Sequence, residues 1–154
     1  MRADDVDALL VIFSDPQVMV SFDGVLFDRS QMERWVQRNL NHQKQFGYGL
    51  FSVMDRTNGW LIGDCGLEHM EIDGTRETEL GYDFRSDYWN QGLATEAALA
   101  VRDFAFQRLK LPHLISLIRQ SNIPSCRVAA KIGMRQSAEV IRYGKLYWVY
   151  KIDA

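Results

Sequence analysis

The firmest constraint on the fold lies in residues 92–109. Leu93, Ala97, Val101 and Ala105 recur every four residues with Phe104 beside them, while Glu96, Asp103, Gln107 and Lys110 fall on the opposite face. That spacing predicts a long amphipathic helix with one buried stripe, broken by Pro112. Runs of strand character flank it, residues 76–84 before and 113–118 after. The helix cannot bury its stripe alone, so strand, helix and strand are expected to pack as a crossover.

The segments on either side complete the pattern. Residues 48–54 and 60–68 are apolar runs with β-branched and aromatic residues, and Asp55-Arg56-Thr57-Asn58-Gly59 between them ends in the turn signal Asn-Gly. Another turn at Glu71-Ile72-Asp73-Gly74 leads into strand 76–84, so an antiparallel meander precedes the long helix. Residues 4–13 carry Val6, Leu9, Leu10 and Phe13 at helical spacing and stop at Ser14-Asp15-Pro16. A second helix is expected from Ser30 to about Gln45, opened by a Ser30–Glu33 capping box and ended by Phe46-Gly47. A short helix over 124–132 tolerates Pro124 in its first turn and ends at Gly133. Residues 140–143 and 146–152 close the chain as strands around Gly144-Lys145. The predicted order is ααβββαβαββ. This is an α+β fold of mixed α/β character: one domain over residues 1–154, with a central, mostly antiparallel twisted sheet flanked by helices.

Composition narrows the function. With 18 Lys plus Arg against 20 Asp plus Glu, the net charge is −2, which argues against a broad nucleic-acid surface. No apolar run reaches bilayer length, and Met1-Arg2-Ala3-Asp4-Asp5 is no signal peptide. Cys65 and Cys126 are far apart and His42, His69 and His113 lie singly, so neither a disulfide scaffold nor a metal cluster is expected. A reducing cytoplasm is the default location.

Residues 79–98 hold the most chemistry. A strand ends, Asn90, Gln91 and Gly92 form a loop, and the long helix begins. The free N–H groups of a helix N-terminus can hold a phosphate, and Gly92 and Ala94 let a ligand approach the backbone. The same residues also suit a plain strand-to-helix turn. Neither a Walker loop nor a G-x-G-x-x-G fingerprint is present.

Five segments, taken in order, resemble the GNAT superfamily of acetyl-CoA-dependent N-acetyltransferases, especially its ribosomal-protein N-terminal acetyltransferase branch. They are Ser14-Asp15-Pro16-Gln17-Val18-Met19, Leu61-Ile62-Gly63-Asp64-Cys65-Gly66-Leu67, Glu79-Leu80-Gly81-Tyr82, Tyr88 through Ala97, and Asn122 through Met134. The resemblance implies acetyl-CoA as donor, an amine acceptor, and no metal. It implies that Tyr82, Asp83 and Phe84 pair with the pantetheine arm. The pyrophosphate loop would be Trp89, Asn90, Gln91, Gly92, Leu93 and Ala94, running into Thr95, with Asn122 on the cofactor arm.

It further implies direct attack of a neutral amine on the thioester, with Glu79 as base and Glu77, two residues earlier on the same strand face, as the alternative. Ser125, three residues past Asn122, matches a serine proposed to act at the leaving sulfur. Many relatives carry a tyrosine at the position of Ala129, and Cys126 reads as a packed cysteine. Trp35, Tyr143 and Tyr147 are candidates for the acceptor cleft. Relatives begin with a strand before the first helix, and here that first strand is expected to be missing or nearly so, leaving a sheet edge that a second copy could cover. The alternative function is a non-catalytic acyl-CoA-binding sensor or interaction module of the same fold.

Overall fold

A computed structural model describes residues 1–154. A 3-10 turn over Ala3–Asp5 leads into helix α1 (Val6–Phe13), then α2 (Pro16–Met19), a second 3-10 turn (Val20–Phe22) and α3 (Arg29–Phe46). The meander follows as β1 (Leu50–Met54), β2 (Leu61–Ile72) and β3 (Thr75–Phe84). Helix α4 (Leu93–Gln107), β4 (His113–Ile118), α5 (Ile123–Lys131), β5 (Arg135–Arg142) and β6 (Lys145–Asp153) complete the chain. No helix is long and apolar enough to cross a membrane.

The six strands form one sheet in the order β1-β2-β3-β4-β6-β5. Every pairing is antiparallel except β3 with β4, the pair joined by the α4 crossover. One side of the sheet packs on α4 and α5 through Cys65, Leu67, Leu80, Ala98, Val101 and Ala129. The other is covered by α1 and α3, which bury Leu9, Ile12, Phe13, Met32 and Val36 with Leu61. Alternation along β2 and β3 sends Cys65, Leu67 and Leu80 to the first layer, and the irregularity of β2 at Ile62 lets Leu61 reach the second.

The parallel ladder is where the sheet fails to close. Strands β3 and β4 register only at Glu79–Ile115. Past that point side chains replace the ladder: Ser116 Oγ donates to the Leu80 carbonyl at 2.6 Å and Leu117 N–H donates to Glu79 Oε1 at 3.0 Å. The strands then splay, and the split opens the site described below.

Several elements differ from expectation. Helix α3 is capped by Asp28, not Ser30: Asp28 and Gln31 exchange backbone bonds of 2.7 Å each. Ser30 instead accepts from Arg34, and Glu33 pairs with Arg29. Asp28 supplies the stronger acceptor two residues earlier, which explains the shift. Helix α2 follows the Ser14-Asp15-Pro16 stop because Asp15 caps it through Gln17 N–H and Pro16 suits the first turn. The β2–β3 hairpin runs to a tight Asp73-Gly74 turn, both residues with positive φ, so β2 extends four residues past Glu68. The closing hairpin is likewise longer, and it turns on Tyr143-Gly144, both left-handed. The α4 stripe is deepest at Ala98, Val101 and Ala105, whereas Leu93 lines the cleft. No strand precedes α1.

Candidate functional site

A continuous cavity of about 950 Å³ runs through the β3–β4 split from the start of α4 to the space beneath α3. At the α4 end, Gly92 occupies the N-cap position with φ 84, and no side chain caps the helix. A serine or aspartate would normally satisfy those N–H groups; here they remain available for a ligand anion. A Cβ on Gly92 would meet nothing within 4 Å, so the loop is open in front of the helix. Trp89 Nε1 donates to the Phe84 carbonyl at 2.9 Å, which ties the loop to the end of β3. Asn90, Leu93, Ala94 and Thr95 line the cavity with Trp89 and Gly92. Gln91 does not; its amide donates to the Asp87 carbonyl.

Along the split, the Leu80 and Phe84 carbonyls are taken by Ser116 Oγ and Trp89 Nε1. Between them the main chain of Tyr82 faces the gap, because alternate residues of a strand direct their N–H and C=O groups to opposite sides. An extended chain lying in the gap can pair there. Opposite stands the start of α5. Asn122 Oδ1 caps it by accepting from Ser125 N–H at 3.2 Å, and Asn122 Nδ2 donates to Ser21 Oγ at 2.9 Å. Asn122 thus clamps the N-terminal helices to this end of the cavity. Tyr82 OH donates to the Ser125 carbonyl at 3.1 Å, whereas Ser125 lines the cavity. Ala129 is buried in the core and Cys126 packs against it. Arg127 and Lys131 add cationic lining on α5, a contribution that helix periodicity alone did not single out.

The wall of the cavity along β2 and β3 is acidic. Glu79 sits at the last β3–β4 pair and accepts the Leu117 N–H. Burial pushes its carboxyl up to about 7. Glu77 lies outside the cavity, with one oxygen 2.5 Å from His113 Nε2. Asp83 lines the cavity, and burial together with the charge of Glu68 lifts its carboxyl to about 7. Directly across the β2–β3 ladder, Asp64 is fully buried, and neither of its oxygens has a hydrogen-bond partner. Burial, and then the charges of Asp83 and Glu68, hold Asp64 well above the usual carboxylate range.

A carboxyl raised on folding stabilises the chain below its unfolded value, about 3.9 for Asp, and that contribution is lost as pH rises through the folded value. Asp64→Asn is therefore expected to match the parent in Tm only at or below about pH 4 and to exceed it by a margin that widens as pH rises from there. Each kcal/mol recovered is worth roughly 3 °C in a domain of this size. A Tm gap that stays constant with pH would show that folding does not raise the Asp64 carboxyl.

Three aromatic candidates all line the cavity. Trp35 packs its ring 4.9 Å from Phe13. Tyr147 OH accepts from Arg119 Nε at 3.4 Å. Tyr143 is 88% exposed at the tip of the closing hairpin. Near them Asp23, held at about 2 by hydrogen bonds from Arg119 and then Lys145, bridges the end of β4 to the β5–β6 hairpin. Spacing alone does not find Asp23, because its partners are about a hundred residues away.

The matching relatives agree with this architecture. The description "Acetyltransferase (GNAT) domain" fits residues 1–135. YkkB of Bacillus subtilis is 35% identical over 141 residues, 92% of this chain and 81% of that protein. YnaD of the same organism, named as an N-acetyltransferase, is 30% identical over 147 residues, 94% of this chain and 83% of that protein. A solved acetyltransferase structure from Agrobacterium tumefaciens superposes with TM-score 0.85 at 27% identity, covering 100% of this chain and 88% of that one. A mixed sheet split between its two parallel strands, an uncapped helix at one end of the split and this sequence likeness lead to one assignment: the chain belongs to the GNAT acetyltransferase family.

Proposed function

We propose that the protein transfers the acetyl group of acetyl-CoA to a primary amine in a ternary complex. The observation that carries this reading is that one cavity joins the uncapped α4 N-terminus to Glu79. The amides of Gly92, Leu93, Ala94 and Thr95 suit the pyrophosphate. The main chain of Tyr82, with Asp83 and Phe84 beside it, suits the pantetheine arm. The amine nitrogen forms a bond to the thioester carbonyl carbon, the C–S bond breaks, and sulfur leaves with the electron pair. Glu79 takes the amine proton, directly or through one water, since a base near neutrality serves this step best. The thiolate accepts a hydrogen bond from the Ser125 hydroxyl and takes a proton from solvent, to which Glu79 releases the one it took.

Isothermal titration with acetyl-CoA, followed by thiol release across a panel of primary amines and peptides, tests the reading. Binding in the micromolar-to-millimolar range with turnover is expected. Absence of binding overturns it, and binding without turnover on any acceptor supports a non-catalytic acyl-CoA sensor instead. Ser125→Ala is expected to lower kcat by about 10- to 100-fold with little change in acetyl-CoA affinity. An unchanged kcat would leave Ser125 as an ordinary first-turn serine.

A further inference from the structure

Strands β2 and β3 carry mirror-image patterns. Along β2 the residues read Asp64-Cys65-Gly66-Leu67-Glu68, and along β3 Glu79-Leu80-Gly81-Tyr82-Asp83. The antiparallel register sets Asp64 against Asp83, Gly66 against Gly81 and Glu68 against Glu79. All six residues point to the α1/α3 face by strand alternation. The result is a rail with an acidic pair at each end and a glycine pair between, in which Gly81 is bare and Gly66 is closed over by the Gly49–Leu50 backbone. A rise of 3.3 Å per residue separates the two pairs by about 13 Å.

Nothing fills the rail at Gly81, where an added Cβ would meet no atom within 4 Å. The Glu68 end is partly matched by Arg38, whose guanidinium lies 3.7 Å away, and Arg142 lines the cavity near Glu79. At the far end Asp64 has no cation within salt-bridge distance and no hydrogen-bond partner, although it is completely buried and lines the cavity. Asp83 has no ion pair or hydrogen bond through its side chain, although it too lines the cavity. A buried carboxylate without a partner costs the fold free energy, and a ligand cation offsets that cost. The acidic side chains do not converge into a group that could hold a metal ion, so an extended organic cation suits the rail better.

We propose that the acceptor is a linear di- or polyamine, one nitrogen reacting beside Glu79 and a second, cationic nitrogen seated between Asp64 and Asp83. The assignment rests on the acetyl-transfer reading of the same cavity. The spacing selects length as well as charge: a short diamine cannot reach both acidic pairs, and a monoamine leaves the Asp64 end uncompensated.

Steady-state kinetics with 1,8-diaminooctane, 1,4-diaminobutane and 1-aminooctane test this. The long diamine is expected to exceed both others in kcat/KM by about 100-fold or more, the worth of one well-placed charge pair. Asp64→Asn and Asp83→Asn should each remove most of that advantage by raising KM for the long diamine relative to KM for 1-aminooctane. Equal kcat/KM for 1-aminooctane and 1,8-diaminooctane overturns the proposal, as does an advantage that survives both substitutions. Turnover of peptide N-termini but of none of the three amines also overturns it and leaves the acetyltransferase reading standing. Absence of turnover on every acceptor removes both.

Discussion

Glu79→Gln is expected to lower kcat/KM by about 10²- to 10⁴-fold and to change the shape of the pH profile. In the parent two protons must leave before attack, one from the acceptor ammonium and one from Glu79, whose carboxyl sits at about 7. Log kcat/KM should therefore climb with slope two below pH 7 and slope one from there to the pKa of the amine, near 10 for an alkylamine of the lysine type. The sign follows from the role: a base works only when ionised, so activity falls as pH drops through its pKa. In the glutamine variant slope one should extend across the whole range. Retention of the break near pH 7 would transfer the role to Asp83, which burial places in the same titration range. Measurement of kcat/KM from pH 5.5 to 9.5 decides between the two carboxylates.

The second large effect is on donor binding. Gly92→Glu is expected to weaken acetyl-CoA by at least about 100-fold, more than 2.7 kcal/mol. The new side chain enters open space in front of α4, the space suited to the pyrophosphate, and sets a carboxylate against it. Two contributions must be separated, because Gly92 has φ 84 and any side chain there adds backbone strain of about 1–2 kcal/mol. Gly92→Asn provides the control, since Asn tolerates the left-handed region and carries no charge. The asparagine variant should lose less than tenfold, measured by titration calorimetry alongside Tm. A carboxylate at a helix N-terminus is favourable for the helix itself, so the glutamate variant should remain folded. Equal affinity in all three proteins would place the pyrophosphate elsewhere.

Local patterns carried most of the architecture into view. The α4 stripe, the meander and the Asn58-Gly59 turn are set by periodicity and turn chemistry within a few residues, so they read directly from the chain. Element ends were less legible. Asp28 outcompetes Ser30 as a cap, and the hairpin turns at Asp73-Gly74 and Tyr143-Gly144 draw β2, β5 and β6 beyond their apolar runs. Ladder bonds extend a strand through polar residues that propensity alone would assign to loops.

The site divides in the same way. Gly92, Asn122 and Ser125 stand in recognisable motifs, because a phosphate loop and a helix cap are short-range devices. The acidic rail was hidden in plain view. Asp64 and Asp83 lie nineteen residues apart in sequence, and each alone is an ordinary strand aspartate. Register makes them a pair, and the cover of α1 and α3 makes one of them buried and unpartnered. The sequence by itself determined the order of helices and strands, the family and the phosphate-binding turn, since all three depend on neighbours along the chain. Only the tertiary structure decided that β3 and β4 part after Glu79, that Glu77 turns away to His113, and that four carboxylates share one face. Those outcomes depend on pairing and burial between distant segments, and it is burial that raises the carboxyl of Glu79 into the range where a base can act.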